Sequence, residues 1–158
     1  MSRLNNGDAF PPLTLDTVAD GTVSVVQHLA GHYGVILMYR GSWCPYCNAQ
    51  LSAFARAKEK LDELGIRVVA MSVDDKIDAG ALVEKHRLNF PVGYRVDADR
   101  VAAATGAYVN DSPRYLQSTG FVLDPDGRVL TAVYSSGAIG RLVAEDVIGF
   151  VRYVKSKA

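Results

Sequence analysis

The only two cysteines of the chain sit three positions apart in Trp43-Cys44-Pro45-Tyr46-Cys47. The apolar run before them, Val35-Ile36-Leu37-Met38-Tyr39, reads as a buried strand, and the residues after them read as a long amphipathic helix. A C-x-x-C between a strand and a helix carries a redox mechanism. Unpaired N–H groups and the partial positive charge of the helix N-terminus favour a thiolate over a thiol. The thiolate is the species that attacks disulfides and peroxides. On a first helical turn, residues three apart share a face, with roughly 5–6 Å between Cβ atoms. A small adjustment then lets the two sulfurs bond. The residues themselves thus point to thiol–disulfide or thiol–peroxide chemistry.

Neighbouring side chains have lesser claims. Arg40 follows the strand, where a cation would lower a thiolate pKa and hold a peroxide oxygen; a solvated surface arginine is the plain alternative. Arg114 is a weaker candidate for the same task. Trp43 and Tyr46 suit a hydrophobic rim, or simple packing of the loop. Ser42 could cap the helix or act near the sulfurs. His28, His32 and His86 share no motif with the cysteines and read as surface or packing residues. Asp74 reads as a turn or cap residue. No second Cys or His pair accompanies the cysteines, so neither a zinc site nor any other metal or cofactor is expected.

The positioning elements follow from periodicity and breakers. Residues 13–16 and 22–25 flank Asp20-Gly21 and predict a hairpin. A helix over 44–64 has Leu51, Phe54, Ala55, Lys58, Leu61 and Leu64 at three-and-four spacing, with Pro45 in its first turn and Gly65 as its stop. Residues 67–73 form a second buried strand, and the strand–helix–strand order requires a right-handed crossover and a parallel pair. A helix over 76–87, a strand over 92–96 and a helix over 99–105 closed by Gly106 come next. Residues 107–118 read as a turn-rich, mobile loop. The strands 121–123 and 129–134 flank Asp124-Pro125-Asp126-Gly127 and predict an antiparallel hairpin, and a helix starts near Ala144. The sum is an α/β fold, a central mixed sheet with helices on both faces.

At 158 residues, the expected organisation is one domain over 1–158. Seventeen basic and seventeen acidic residues cancel, with no long block of one sign, so no nucleic-acid or anionic-membrane partner is expected. The first residues lack the apolar region of a secretory signal, and no apolar run approaches the roughly 20 residues that span a bilayer. A cytoplasmic location follows as the expectation, and in the cytosol two cysteines are not a structural staple.

The element order, with C-x-x-C opening the first long helix, resembles the thioredoxin fold. The match sharpens toward peroxiredoxins of the alkyl hydroperoxide reductase/thiol-specific antioxidant (AhpC/TSA) family. It is carried by Val35-Ile36-Leu37-Met38-Tyr39, Gln50-Leu51-Ser52-Ala53-Phe54, Val68-Val69-Ala70-Met71-Ser72-Val73-Asp74, Asn89-Phe90-Pro91-Val92, Asp97-Ala98-Asp99-Arg100-Val101-Ala102 and Phe121-Val122-Leu123-Asp124-Pro125-Asp126-Gly127. The resemblance implies a thiol-dependent antioxidant oxidoreductase that reduces hydroperoxides through a Cys44/Cys47 dithiol–disulfide cycle. It also implies a thioredoxin-like dithiol donor, and the family's tendency to dimerise makes a homodimer one of the assemblies open to the chain. Aligned on the helix start, the family's peroxidatic cysteine is Cys47. Its threonine, proline and arginine positions then hold Cys44, Arg40 and Ser118. The thioredoxin pattern W-C-x-x-C instead makes Cys44 the nucleophile, and puts Thr119 where thioredoxins carry a cis-proline. By the same resemblance Ser118 and Thr119 line the pocket opposite the cysteines. The alternatives are a thioredoxin-like disulfide reductase that attacks through Cys44, and a redox sensor without turnover.

Overall fold

The computed structural model describes residues 3–158. The chain opens with the hairpin β1 (Thr14–Asp16) and β2 (Thr22–Ser24), followed by α1 (Val25–Leu29) and β3 (Tyr33–Met38). The helices α2 (Pro45–Arg56) and α3 (Lys58–Glu63) lead into β4 (Ile66–Met71), α4 (Lys76–His86), β5 (Val92–Gly93) and α5 (Ala98–Thr105). Then come β6 (Val109–Asn110), β7 (Tyr115–Leu116), β8 (Thr119–Leu123), β9 (Val129–Tyr134) and α6 (Ala144–Lys157). Five strands form the central sheet in the order β5-β4-β3-β8-β9. β3 is parallel to β4 and antiparallel to β8, which makes the sheet mixed as its sequence pattern predicts.

β3 is apolar throughout because both of its faces are covered. Val35, Leu37 and Tyr39 pack on one face with Cys44, Cys47, Leu51 and Phe54, and with Val147 and Val151 of α6. Ile36 and Met38 pack on the other with Val25, Leu29, Val101 and Phe121. The period of two along a strand sends alternate side chains to opposite layers. β3 therefore ends at the base of the cysteine turn with its backbone held on both sides and its side chains on both faces.

Three predicted elements differ in detail. The helix over 44–64 is two helices joined at Ala57, where ψ is 6° and the N–H is shared by the carbonyls of Ala53 and Phe54. Between Phe54 and Leu61 no large apolar side chain holds the helix to the sheet. Lys58, counted in the apolar spacing, points to solvent and pairs with Asp62 at 3.1 Å. The strand over 92–96 is only two residues long, because Arg95 takes a left-handed backbone (φ 53°) and the Tyr94 N–H turns to the Asp16 carbonyl. The loop over 107–118 contains the antiparallel pair β6–β7, and Tyr115, Leu116, Gln117 and Ser118 are buried. That segment is packed onto the cysteine site rather than lying free as a loop.

Candidate active site

Cys44 is the N-cap of α2. Its Sγ accepts the Cys47 N–H at 3.3 Å, and Pro45 occupies the first turn, where its missing N–H removes no bond. The helix end is thus aimed at the first sulfur. Ser42, the other capping candidate, acts through its backbone. Its N–H donates to Asp74 Oδ2 at 2.8 Å, and its carbonyl accepts from Asn48 at 3.0 Å. Asp74 is accordingly a brace for the turn, and burial pushes its carboxyl up although the Ser42 N–H opposes the shift.

Each sulfur has a guanidinium. Arg40 Nη1 lies 3.9 Å from Cys44 Sγ. Its other nitrogens are committed, Nε to Gln117 Oε1 at 3.0 Å and Nη2 to the Tyr115 hydroxyl at 2.9 Å. The head lies 4.9 Å from the Trp43 ring and 5.2 Å from the Tyr115 ring. Those rings meet edge-to-face at 5.0 Å. Arg141 Nη1 reaches Cys47 Sγ at 3.2 Å, while its Nη2 donates to the Ala138 carbonyl at 2.5 Å. Cys47 Sγ also accepts the Arg40 N–H at 3.4 Å.

The two thiols are pushed apart. Burial raises the Cys44 pKa, but hydrogen bonds from the Cys47 thiol, the Cys47 N–H and Arg40 outweigh it, so the net shift is downward. Cys47 lies deeper. Burial, and then its bond to the Cys44 sulfur, hold its thiol above the usual value against the Arg40 N–H and Arg141. Of the two, Cys44 is therefore the thiol that ionises more readily, and Cys47 holds its proton more tightly.

The structure brings Cys44, Cys47, Arg40 and Trp43 together. Ser118 and Thr119 lie buried at the start of β8. The Thr119 hydroxyl donates to the Gln117 carbonyl at 3.0 Å, and the Ser118 carbonyl accepts the Ser135 N–H at 2.9 Å. Among the described residues, no hydrogen bond joins either to a cysteine. Gln117, one residue before Ser118, holds Arg40. Arg114 is exposed and ion-paired with Asp99 and Asp111, away from the sulfurs. Three functional neighbours escape the sequence reading. Tyr115 and Gln117 flank Leu116 with the alternation of a strand, a cue hidden by the turn residues around it. Arg141 is the sole cation in Ser135-Ser136-Gly137-Ala138-Ile139-Gly140-Arg141, a loop after the last strand, where functional side chains concentrate. An apolar groove of about 440 Å³ runs from Arg141 between Tyr46, Ala53, Ile139 and Val143.

Gly41 lets Trp43 cover this cluster, since a Cβ there would lie 2.2 Å from the indole Nε1. Gly41→Ala is expected to displace the indole and shift its fluorescence emission. Because Trp43 is half exposed and free to swing outward, stability should change by less than about 1 kcal/mol. Emission spectra beside thermal melts check both parts.

A thioredoxin fold that sets a coupled cysteine pair and two arginines at the first helix N-terminus defines a thiol peroxidase or thiol–disulfide oxidoreductase. The profile of the AhpC/TSA family matches residues 6–132, and the chain belongs to that family. It is 28% identical over 143 residues to a peroxiredoxin of Chlorobaculum tepidum, covering 88% of this chain and 67% of that protein. A peroxiredoxin of Treponema denticola is 26% identical over 154 residues, covering 95% of this chain and 72% of its own length. The crystal structure of the peroxidoxin BcpB of Mycobacterium tuberculosis superposes with a TM-score of 0.82 at 19% identity, over 96% of this chain and 99% of that one.

Proposed function

We propose that the chain reduces hydroperoxides with Cys44 as the attacking thiolate and Cys47 as its resolving partner. The observation that carries this reading is the set of donors on the first sulfur: Cys44 Sγ accepts the helix N–H and faces Arg40, which favour its ionisation over that of the deeper Cys47. The Cys44 thiolate attacks the terminal oxygen of ROOH, and the O–O bond breaks. Cys44 becomes a sulfenic acid, and the leaving alkoxide takes the Cys47 proton to depart as an alcohol. The new Cys47 thiolate attacks the Cys44 sulfur, the disulfide forms, and hydroxide leaves to become water. A thioredoxin-like dithiol returns both thiols by exchange. This order inverts the one obtained by aligning the helix start with the family, which assigns the attack to Cys47.

The family's threonine and arginine are replaced, and donors must still meet the charge that develops on oxygen. Arg40 has the position for it. Trp43 and Ser42 shape the turn around it, whereas Ser118 and Thr119 support β8. The whole chain works as one domain around the central sheet. β9 is an edge strand, and edge strands are templates for pairing, so a homodimer joined there is the assembly we favour. Such a cycle needs a reducing compartment, which the cytoplasm supplies. No helix among the described residues is long and apolar enough to cross a membrane.

The exposed Trp43 beside Cys44 also suits a second reading, exchange with protein disulfides. Stopped-flow oxidation of the reduced protein by hydrogen peroxide, followed through Trp43 emission, decides between them. Peroxidase function predicts a rate well above that of a free thiol at the same pH. A free-thiol rate together with rapid reaction toward disulfides would establish the exchanger instead.

A further inference from the structure

We propose that Arg114 is a positioning residue for the peroxide step: by latching the β6–β7 hairpin to α5 it fixes Tyr115 and Gln117, and through them the Arg40 guanidinium against Cys44. The proposal rests on the peroxidase reading above. Arg40 does not hold its own head in place. Its Nε and Nη2 are bonded to Gln117 Oε1 and the Tyr115 hydroxyl, which leaves Nη1 toward Cys44 Sγ at 3.9 Å. Both partners lie on one short stretch of chain. Tyr115 belongs to β7, which pairs with β6 in a two-stranded sheet separate from the central one, and the ladder to β3 begins beyond it, at Thr119. The β6–β7 register joins Val109 to Leu116 and Asn110 to Tyr115, and a two-stranded hairpin of this kind is a weak mount by itself.

An anchor outside the hairpin supplies the rest. Tyr115 is buried against Arg40 and Trp43, while its neighbour Arg114 turns outward to the first turn of α5. Arg114 Nε lies 3.0 and 3.1 Å from the two Asp99 carboxylate oxygens, Nη2 also bonds Asp99 Oδ1, and Nη1 reaches Asp111 Oδ1 at 2.9 Å. Every nitrogen of the guanidinium is thus spent on a carboxylate. A single exposed ion pair contributes little, but a fork on one carboxylate joined to a second is the geometry in which such pairs hold. Asp99 stands on a fixed mount, since the Asp97 carboxylate caps α5 by accepting the Arg100 N–H, and the helix buries Ala98 and Val101 in the core. The latch therefore ties the hairpin to a core helix one residue from the Tyr115 backbone. Without it Tyr115 and Gln117 gain freedom, Arg40 follows them, and Cys44 loses part of the donor set that brings its pKa down. Arg114 touches neither sulfur, so its effect reaches the reaction only through Arg40.

The test compares wild type, Arg114→Met, Arg114→Lys and Asp99→Asn in two assays. One is stopped-flow oxidation by hydrogen peroxide. The other is alkylation by iodoacetamide against pH, with the modification of Cys44 followed by peptide mass spectrometry. Arg114→Met and Asp99→Asn should each slow the peroxide step about three- to tenfold, the range for a residue coupled through its packed neighbours, and move the alkylation midpoint upward. Arg114→Lys keeps the charge without the fork and should return part of both effects. Arg114→Met made on top of Arg40→Met should change the rate by less than about twofold, because the group it positions is already gone. Loosened packing alone would leave the midpoint unmoved and add its full loss in that background. Wild-type rate and midpoint in Arg114→Met would overturn the latch, and a full additional loss beside Arg40→Met would overturn its route through Arg40. A fast peroxide step that survives in Cys44→Ser would overturn the order of the cysteines beneath the proposal, and the alkylation midpoint would then still pass or fail the latch by itself.

Discussion

Cys44→Ser is expected to remove the fast reaction with hydrogen peroxide, lowering its rate constant by about 10³-fold or more. Serine keeps the size of the side chain and can still accept the Cys47 N–H, so the turn and the N-cap survive. What it loses is the thiolate, since a hydroxyl does not ionise near neutral pH. The thiol that remains is the buried Cys47, which lacks the direct helix N–H bond that Cys44 receives. Cys47→Ser should behave differently. The thiolate at Cys44 retains its backbone donor and Arg40, so peroxide is still consumed once. Without a resolving thiol the sulfenic acid accumulates, and excess peroxide drives it on to sulfinic acid. Intact-protein mass spectrometry beside stopped-flow traces distinguishes these outcomes. The opposite pattern, with Cys47→Ser inert and Cys44→Ser fast, would restore the nucleophile implied by the helix-start alignment.

The two cysteines were legible because their chemistry depends on local geometry. The apolar run of β3, Pro45 in the first turn and a three-residue spacing are all short-range facts, and they place Cys44 at a helix end without tertiary information. The alternation of β3 across two core layers was equally readable, because a strand buried on both faces shows as an unbroken apolar run. Arg40 could be nominated from adjacency alone. Its binding partners could not, since Tyr115 and Gln117 are separated from it by 75 and 77 residues and are brought near only by the pairing of β8 with β3. Arg141 is more remote still, at 94 residues from Cys47. The start of β8 shows the same limit. Counting back from Phe121 identified the strand end, but which side chain there meets Arg40 is set by the pairing of β8 with β3, and it is Gln117. The break at Ala57 was hidden because Lys58 fitted the spacing of an apolar face while being charged.

Arg40→Met should slow the peroxide step about 10²-fold at neutral pH, from two separable causes. The first is ionisation. Burial raises the Cys44 pKa, and Arg40 is one of the donors that bring it below the usual thiol value. Removing the cation raises that pKa again. The rate rises with pH as the thiolate forms, so the midpoint of the pH–rate profile should move upward in the variant. Absorbance of the thiolate, or its alkylation rate against pH, measures this shift directly. The second cause is activation of the O–O bond, and it persists at pH values where Cys44 is fully ionised in both proteins. A plateau that stays below wild type isolates this part; a plateau that recovers fully would mean that Arg40 acts only on the thiol. Arg40→Lys retains a charge but not the fork that bonds Gln117 and Tyr115 together, so it should recover more of the ionisation than of the plateau. Both substitutions leave Gln117 Oε1 and the Tyr115 hydroxyl without their arginine partner, at a cost of about 1–3 kcal/mol for each group that water cannot reach. Thermal melts therefore belong beside the kinetics. Loss of stability alone would reduce the active fraction at every pH and leave the midpoint where it was, whereas loss of the cation moves the midpoint.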